Sequence, residues 1–103
     1  MSANSLPAAA ALHGFLTQHT ELQAFPISWV LSGRDGVGGG LPAHDPDIRR
    51  VAKLFAAALG VEVTGSVFDL RENERVLGRF VHGQVGGVEI FFGAYASVED
   101  GDL

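Results

Sequence analysis

Two adjacent glycines, Gly86 and Gly87, stand between two runs of alternating apolar residues, Val76 to Val85 and Val88 to about Ala96. A two-residue glycine corner suits a tight β-hairpin, because both central residues of the favoured turn need positive φ. A tight corner sets the pairing register. The register in turn decides which side chains share a face, since side chains alternate with a period of two along a strand. Pairing Val85 with Val88 sets Val81 against Phe92, Gly83 against Ile90, His82 against Phe91, Phe80 against Gly93 and Tyr95 against Gly78. One face then carries Leu77, Val81, Val85, Val88, Ile90, Phe92 and Ala94. The run Val61 to Leu70 also alternates and is expected to be the strand before this hairpin. Pairing Leu70 with Val76 across a polar loop, Arg71 to Arg75, adds Val63, Gly65 and Val67 to the same face. This nearly continuous aliphatic surface is the expected core, covered by helices.

The opposite face carries Phe68, Leu70, Val76, Phe80, His82, Phe91 and Tyr95, interleaved with Glu62, Thr64, Ser66, Gln84 and Glu89. Aromatics opposite glycines shield bare backbone, which is a structural use for some of them. A face mixing large rings with Gln, Glu and His is nonetheless too polar for a core and too apolar for water, as interaction surfaces are. It is expected to meet a protein partner or a second copy of the chain, through Phe68, Phe80, His82, Gln84, Glu89, Phe91 and Tyr95. An alternative is a shallow pocket binding a small molecule or a substrate between the glycine-rich segment 32–40 and this face, near His82, Glu89 and Tyr95, with Gln84 as a further polar contact.

The first half of the chain has helical and strand signals in turn. From Pro7 to about Gln23, Ala8, Leu12, Phe15, Leu16, His19 and Leu22 recur at helical spacing. Ser5 is a candidate cap and Pro7 suits the first turn. Pro26 stops the helix, and Ile27, Trp29 and Leu31 then alternate with Ser28 and Val30 as in a strand. Residues 32–36 read as a turn; Val37 to Leu41 is either a glycine-weakened strand or a loop. In His44-Asp45-Pro46-Asp47, Asp45 fits an N-cap, Pro46 the N1 position and Asp47 the positive end of the helix dipole. The helix should run to Leu59, with Ile48, Val51, Ala52, Phe55, Ala58 and Leu59 as its apolar stripe and Gly60 as its terminator. The whole, residues 1–103, reads as a single α+β domain of order α-β-(β)-α-β-β-β. An antiparallel sheet of four to five strands is packed with two helices, and residues 1–6 and 98–103 are expected to be flexible.

Composition narrows the chemistry. The net charge is −5, from 12 acidic against 7 basic residues, with no basic stripe, so nucleic acid is not an expected partner. Arg34, Arg49, Arg50 and Lys53 are the best that such a reading could use. There is no cysteine, which removes disulfides, thiolate metal sites and thiol catalysis. No stretch approaches the ~20 apolar residues of a membrane span, and the N-terminus lacks the basic region of a signal peptide. The expected location is the cytoplasm, or a virion if the origin is a phage. His44 with Asp45 and Asp47 suggests a metal cluster, but helix initiation accounts for both aspartates. Gly36 to Gly40 lacks both the strand-to-helix context of a dinucleotide loop and the lysine of a P-loop. Ser32, Thr64 and Ser66 sit in no nucleophile elbow, and the acids at 72, 74, 99, 100 and 102 belong to expected loop and tail. No catalytic residue, metal or cofactor is expected.

The succession of an amphipathic first helix, Pro26-Ile27-Ser28-Trp29-Val30, a glycine-rich turn, His44-Asp45-Pro46-Asp47 and the closing run Gly83 to Gly93 resembles short actinobacterial proteins. These are found especially in streptomycetes and in their phages and mobile elements, and no activity is assigned to them. The resemblance implies the same element order and no catalytic residue. It also suggests roles that work by contact: a phage or mobile-element component, an inhibitor or an immunity-type binder.

Overall fold

In a computed structural model, residues 6–32, 36–71 and 74–99 are described. The elements are α1 (Leu6–Gln18), a 3-10 turn (Thr20–Ala24), β1 (Ser28–Ser32), β2 (Gly36–Gly40), α2 (Ile48–Leu59), β3 (Val67–Arg71), β4 (Glu74–Val85) and β5 (Val88–Ser97). The α+β order expected from the sequence is the order found, and the glycine segment 36–40 is a strand.

The two-glycine corner sets the register as its chemistry requires. Gly86 and Gly87 have φ of 56° and 82°, and Val85 pairs with Val88, Val81 with Phe92 and His82 with Phe91. The aliphatic face is the core. Leu77, Val81, Val88, Ile90, Phe92, Ala94 and Ala96 are buried in one cluster with Ala8 and Phe15 of α1 and Ile48, Val51, Ala52 and Phe55 of α2. Both helices therefore pack on the same side of the sheet. Phe55 is the hub of this layer. Its ring centroid lies 5.4 Å from that of Phe15, 5.7 Å from Trp29 and 5.4 Å from Phe92.

The sheet order is β1-β2-β5-β4-β3, and it is mixed, which corrects the expectation of a wholly antiparallel sheet. β1 and β2 form an antiparallel hairpin, and β2 pairs with β5 in parallel. The reason is topological. α2 carries the chain beneath the sheet from β2 to the far edge, and the β3–β4–β5 meander then reverses twice on its way back.

Three local expectations also change. The first helix ends at Gln18, not near Gln23. The Thr17 hydroxyl donates back to the His13 carbonyl at 2.7 Å, a bond that competes with helix continuation. The Gln23 side chain folds over to donate to the otherwise orphaned Leu16 carbonyl at 2.8 Å. The second helix begins at Ile48 rather than directly after Asp45. The Asp45 carboxylate does accept from the Asp47 amide at 2.8 Å, but it closes a turn leading into the helix. At the other end Gly60 is left-handed at φ 71°, and the Val61 amide bonds to the Ala56 carbonyl, so the helix terminates as expected.

The third change concerns the strand expected over 61–70. Regular strand begins at Val67, and Gly65, at φ 128°, interrupts the run. Thr64 still exchanges bonds with Phe80, and Ser66 accepts from Gly78. Phe68, not Leu70, lies opposite Val76. A two-residue offset preserves the faces, so Val63 and Val67 still pack against the core. Of the segment expected as a loop, 71–75, Arg71, Glu74 and Arg75 are strand residues, with Arg71 paired to Glu74 and a bulge between it and Asp69; 72 and 73 lie outside the described residues. Of the turn expected at 32–36, Ser32 and Gly36 are strand residues and 33–35 lie outside the described residues. Of the termini expected to be flexible, 1–6 and 98–103, Leu6 opens α1 and Glu99 faces Arg49, while 1–5 and 100–103 lie outside the described residues.

Candidate aromatic face and glycine trough

Among the described residues no helix covers the second face of the sheet. Four rings cross it in a continuous chain. Phe68 and Tyr95 meet edge-on at 5.5 Å, Tyr95 and Phe80 edge-on at 6.1 Å, and Phe80 and Phe91 stack at 6.2 Å. Phe68, Phe80 and Tyr95 are half-buried, whereas His82, Gln84, Glu89 and Phe91 are exposed. Val76, at the foot of this face, is fully buried, which an outward-facing position did not lead one to expect. The rings rest on bare backbone. A Cβ at Gly93 would come within 2.8 Å of the Phe91 ring, and one at Gly78 within 2.7 Å of Phe68. Part of the aromatic content is thus structural shielding.

Phe91 is different. It is 42% exposed, and among the described residues the other large apolar side chain left open to solvent is Val30, at 64%. Both point from the same face. Val30 pairs with Gly38 on one side of β2, and Phe91 pairs with Gly38 on the other. Gly36, Gly38 and Gly40 are the outward positions of β2, so a side-chain-free trough runs between two apolar walls. Depressions of about 570 Å³ and 470 Å³ occupy it. The first is lined by Gly36, Val37, Gly38, His82, Glu89 and Phe91. The second meets Val30, Gly38 to Pro42 and, again, Phe91. Packing explains the inward Gly39 but not the outward Gly38. A Cβ at Gly39 would strike the Trp29 ring at 2.6 Å, whereas one at Gly38 would meet only the Val30 carbonyl, at 4.0 Å. The open floor at Gly38 is not a requirement of the chain's own interior.

The polar residues of the face do not converge. His82 Nε2 and Glu89 Oε1 lie 3.8 Å apart with both side chains 58% exposed, a contact that water screens heavily even when the imidazole is charged. Tyr95 pairs with Gly78, four positions along β4 from His82, a separation of roughly 13 Å at strand rise. The pocket expected near His82, Glu89 and Tyr95 therefore involves the first two only, and its glycine-rich wall is a strand rather than a loop. Among the described residues no buried side chain is polar or charged, and no group of three His, Asp or Glu could hold a metal ion. No helix there is long and apolar enough to cross a membrane. Of the basic residues considered for nucleic acid, Arg49 faces Glu99 at 3.7 Å and Arg50 lies over the Phe25 ring at 5.6 Å; Arg34 is outside the described residues.

One cluster had no sequence signal. His44, at φ 66°, accepts or shares a bond with Ser97 Oγ at 2.8 Å through Nδ1, while Nε2 is 3.5 Å from Glu74 Oε1. The order serine, histidine, carboxylate resembles a nucleophile relay. However, Ser97 and His44 are exposed, and the amides of His44 and Asp45 are already committed to the carbonyls of Tyr95 and Pro42. Neither of these two amides is therefore open to an oxyanion. The cluster instead clamps segment 41–47 onto the end of β5. Only the β2–β5 pairing brings His44 there, so residues 44, 74 and 97 could not be linked from the sequence.

Comparison with known proteins adds no relative: no family model matches the chain, and no significant match was found among curated proteins or solved structures.

Proposed function

We propose that the chain is a non-enzymatic binding or assembly protein whose protein partner seats an apolar side chain in the trough between Val30 and Phe91. The observation that carries this reading is the pair of exposed apolar walls around a floor kept open at Gly38. Interfaces concentrate their energy in a few such desolvated contacts, with aromatic anchors prominent among them. His82, Gln84 and Glu89 would form the polar rim, and Phe68, Phe80 and Tyr95 the rigid support behind Phe91. The contact-based roles implied by the actinobacterial and phage resemblance are compatible with this reading.

A second reading, a small-molecule or catalytic pocket, is favoured by the depression beside His82 and Glu89. The exposure of both residues counts against it, because small-molecule sites bury most of their ligand's surface.

Two variants test the first reading. Phe91→Glu puts a charge on one wall, and Gly38→Leu fills the floor. Each is expected to weaken partner capture at least tenfold while leaving the thermal midpoint within a few degrees, since neither side chain belongs to the core. Retention of the wild-type's partners by both folded variants would refute the reading.

A further inference from the structure

We propose that the chain pairs with a second copy of itself, edge to edge along β1, to form a two-fold dimer with one continuous sheet. This rests on the two sheet edges, not on the trough reading. The edge at β3 is defended in the usual ways: it carries Asp69 and Arg71, contains a bulge, and follows the interruption at Gly65. The edge at β1 has none of these devices. It is a regular five-residue strand, Ser-Trp-Val-Leu-Ser, and no charged residue occurs between Glu21 and Arg34. Among the described residues no backbone group outside the sheet bonds to it. Its inward side chains hold it in place, with Trp29 packed on Phe55 and Leu31 against the core. An ordered, neutral strand with unpaired amides and carbonyls is a template for another strand.

The strand's own sequence identifies the occupant. Two-fold contacts must be self-complementary, and Ser28 to Ser32 reads the same in chemical class from either end. Antiparallel pairing about Val30 sets Val30 against Val30 of the second copy, Trp29 against Leu31 and Ser28 against Ser32. Inward residues then meet inward residues, no like charges are opposed, and roughly four to six backbone hydrogen bonds form. The outer faces run on into one another, with the two Val30 side chains between twin troughs.

The chain has no cysteine, so Val30→Cys gives a clean crosslink. Directly opposed Cβ atoms lie about 4.5–5.5 Å apart, within reach of a disulfide after slight adjustment. Light scattering on the wild type should give twice 10.8 kDa. Val30→Cys should form a reducible dimer under mild oxidation, and Gln84→Cys, exposed elsewhere on the sheet, should not. Val30→Lys, at a solvent-facing position, should give a folded monomer, and Phe91→Glu should remain dimeric. A wild type that stays monomeric when concentrated, or a dimer that survives Val30→Lys, overturns the proposal. Dissociation by Phe91→Glu but not by Val30→Lys would overturn it too, by moving the joint to the outer face.

Discussion

Replacing Phe55 by alanine is expected to lower unfolding free energy by about 4 kcal/mol, near the middle of the range for a fully buried phenylalanine. The side chain is 0% exposed, and its ring touches rings from α1, β1 and β5. A cavity walled by three separate elements cannot close without moving all of them, so little of the lost contact is recovered. Domains of this size have about 5–15 kcal/mol in total, and the midpoint should fall by roughly 15–30 °C. Urea titration should show a lower midpoint at unchanged slope. A loss below ~2 kcal/mol would mean that the helices do not meet the sheet through this ring.

The second large effect is expected at Gly65. Its φ of 128° is one that residues with a side chain rarely adopt, and a Cβ there would collide with the Gly78 carbonyl across the strand pair. The strained backbone alone costs about 1–3 kcal/mol. Relieving the collision means separating segment 64–66 from β4, with loss of the Thr64–Phe80 and Ser66–Gly78 bonds. Gly65→Ala should therefore destabilise by about 3 kcal/mol or more. Gly86 provides the contrast. It also has positive φ, at 56°, but nothing lies within 4 Å of a built Cβ. Gly86→Asn, which recreates the favoured Asn-Gly hairpin corner, should stay within about 1 kcal/mol of wild type. Equal effects at the two sites in thermal or chemical denaturation would contradict this account.

The hairpin register was legible because a two-residue corner leaves one pairing that keeps Val81, Ile90 and Phe92 together. The β1 alternation and the Gly60 stop were legible for the same kind of local reason. What escaped the sequence was non-local. β2 has one inward apolar residue, Val37, and no outward side chain, so it carries too little periodic signal to identify its neighbour. The expected Leu70 pairing is displaced by two residues, one because Arg71 pairs with Glu74 and one because of the bulge between Asp69 and Arg71, which depends on how the pair twists. Which residues of β4 and β5 share a face was legible, since parity along a paired hairpin suffices for that. Its trough was not foreseen, because the trough exists only where β2 lies between Val30 and Phe91, and that pairing links residues some fifty positions apart.

That same pairing leaves the sheet with a natural parting line. The first hairpin joins the rest of the sheet through five parallel partners, whereas the meander holds ten antiparallel partners between β4 and β5 alone. Parallel ladders are slightly weaker per residue, and on the outer side of this one the glycines offer no cross-strand grip. The C-terminal meander is thus the more extensively paired part of the sheet. The trough lies along the sparser seam that joins the first hairpin to the rest of the sheet.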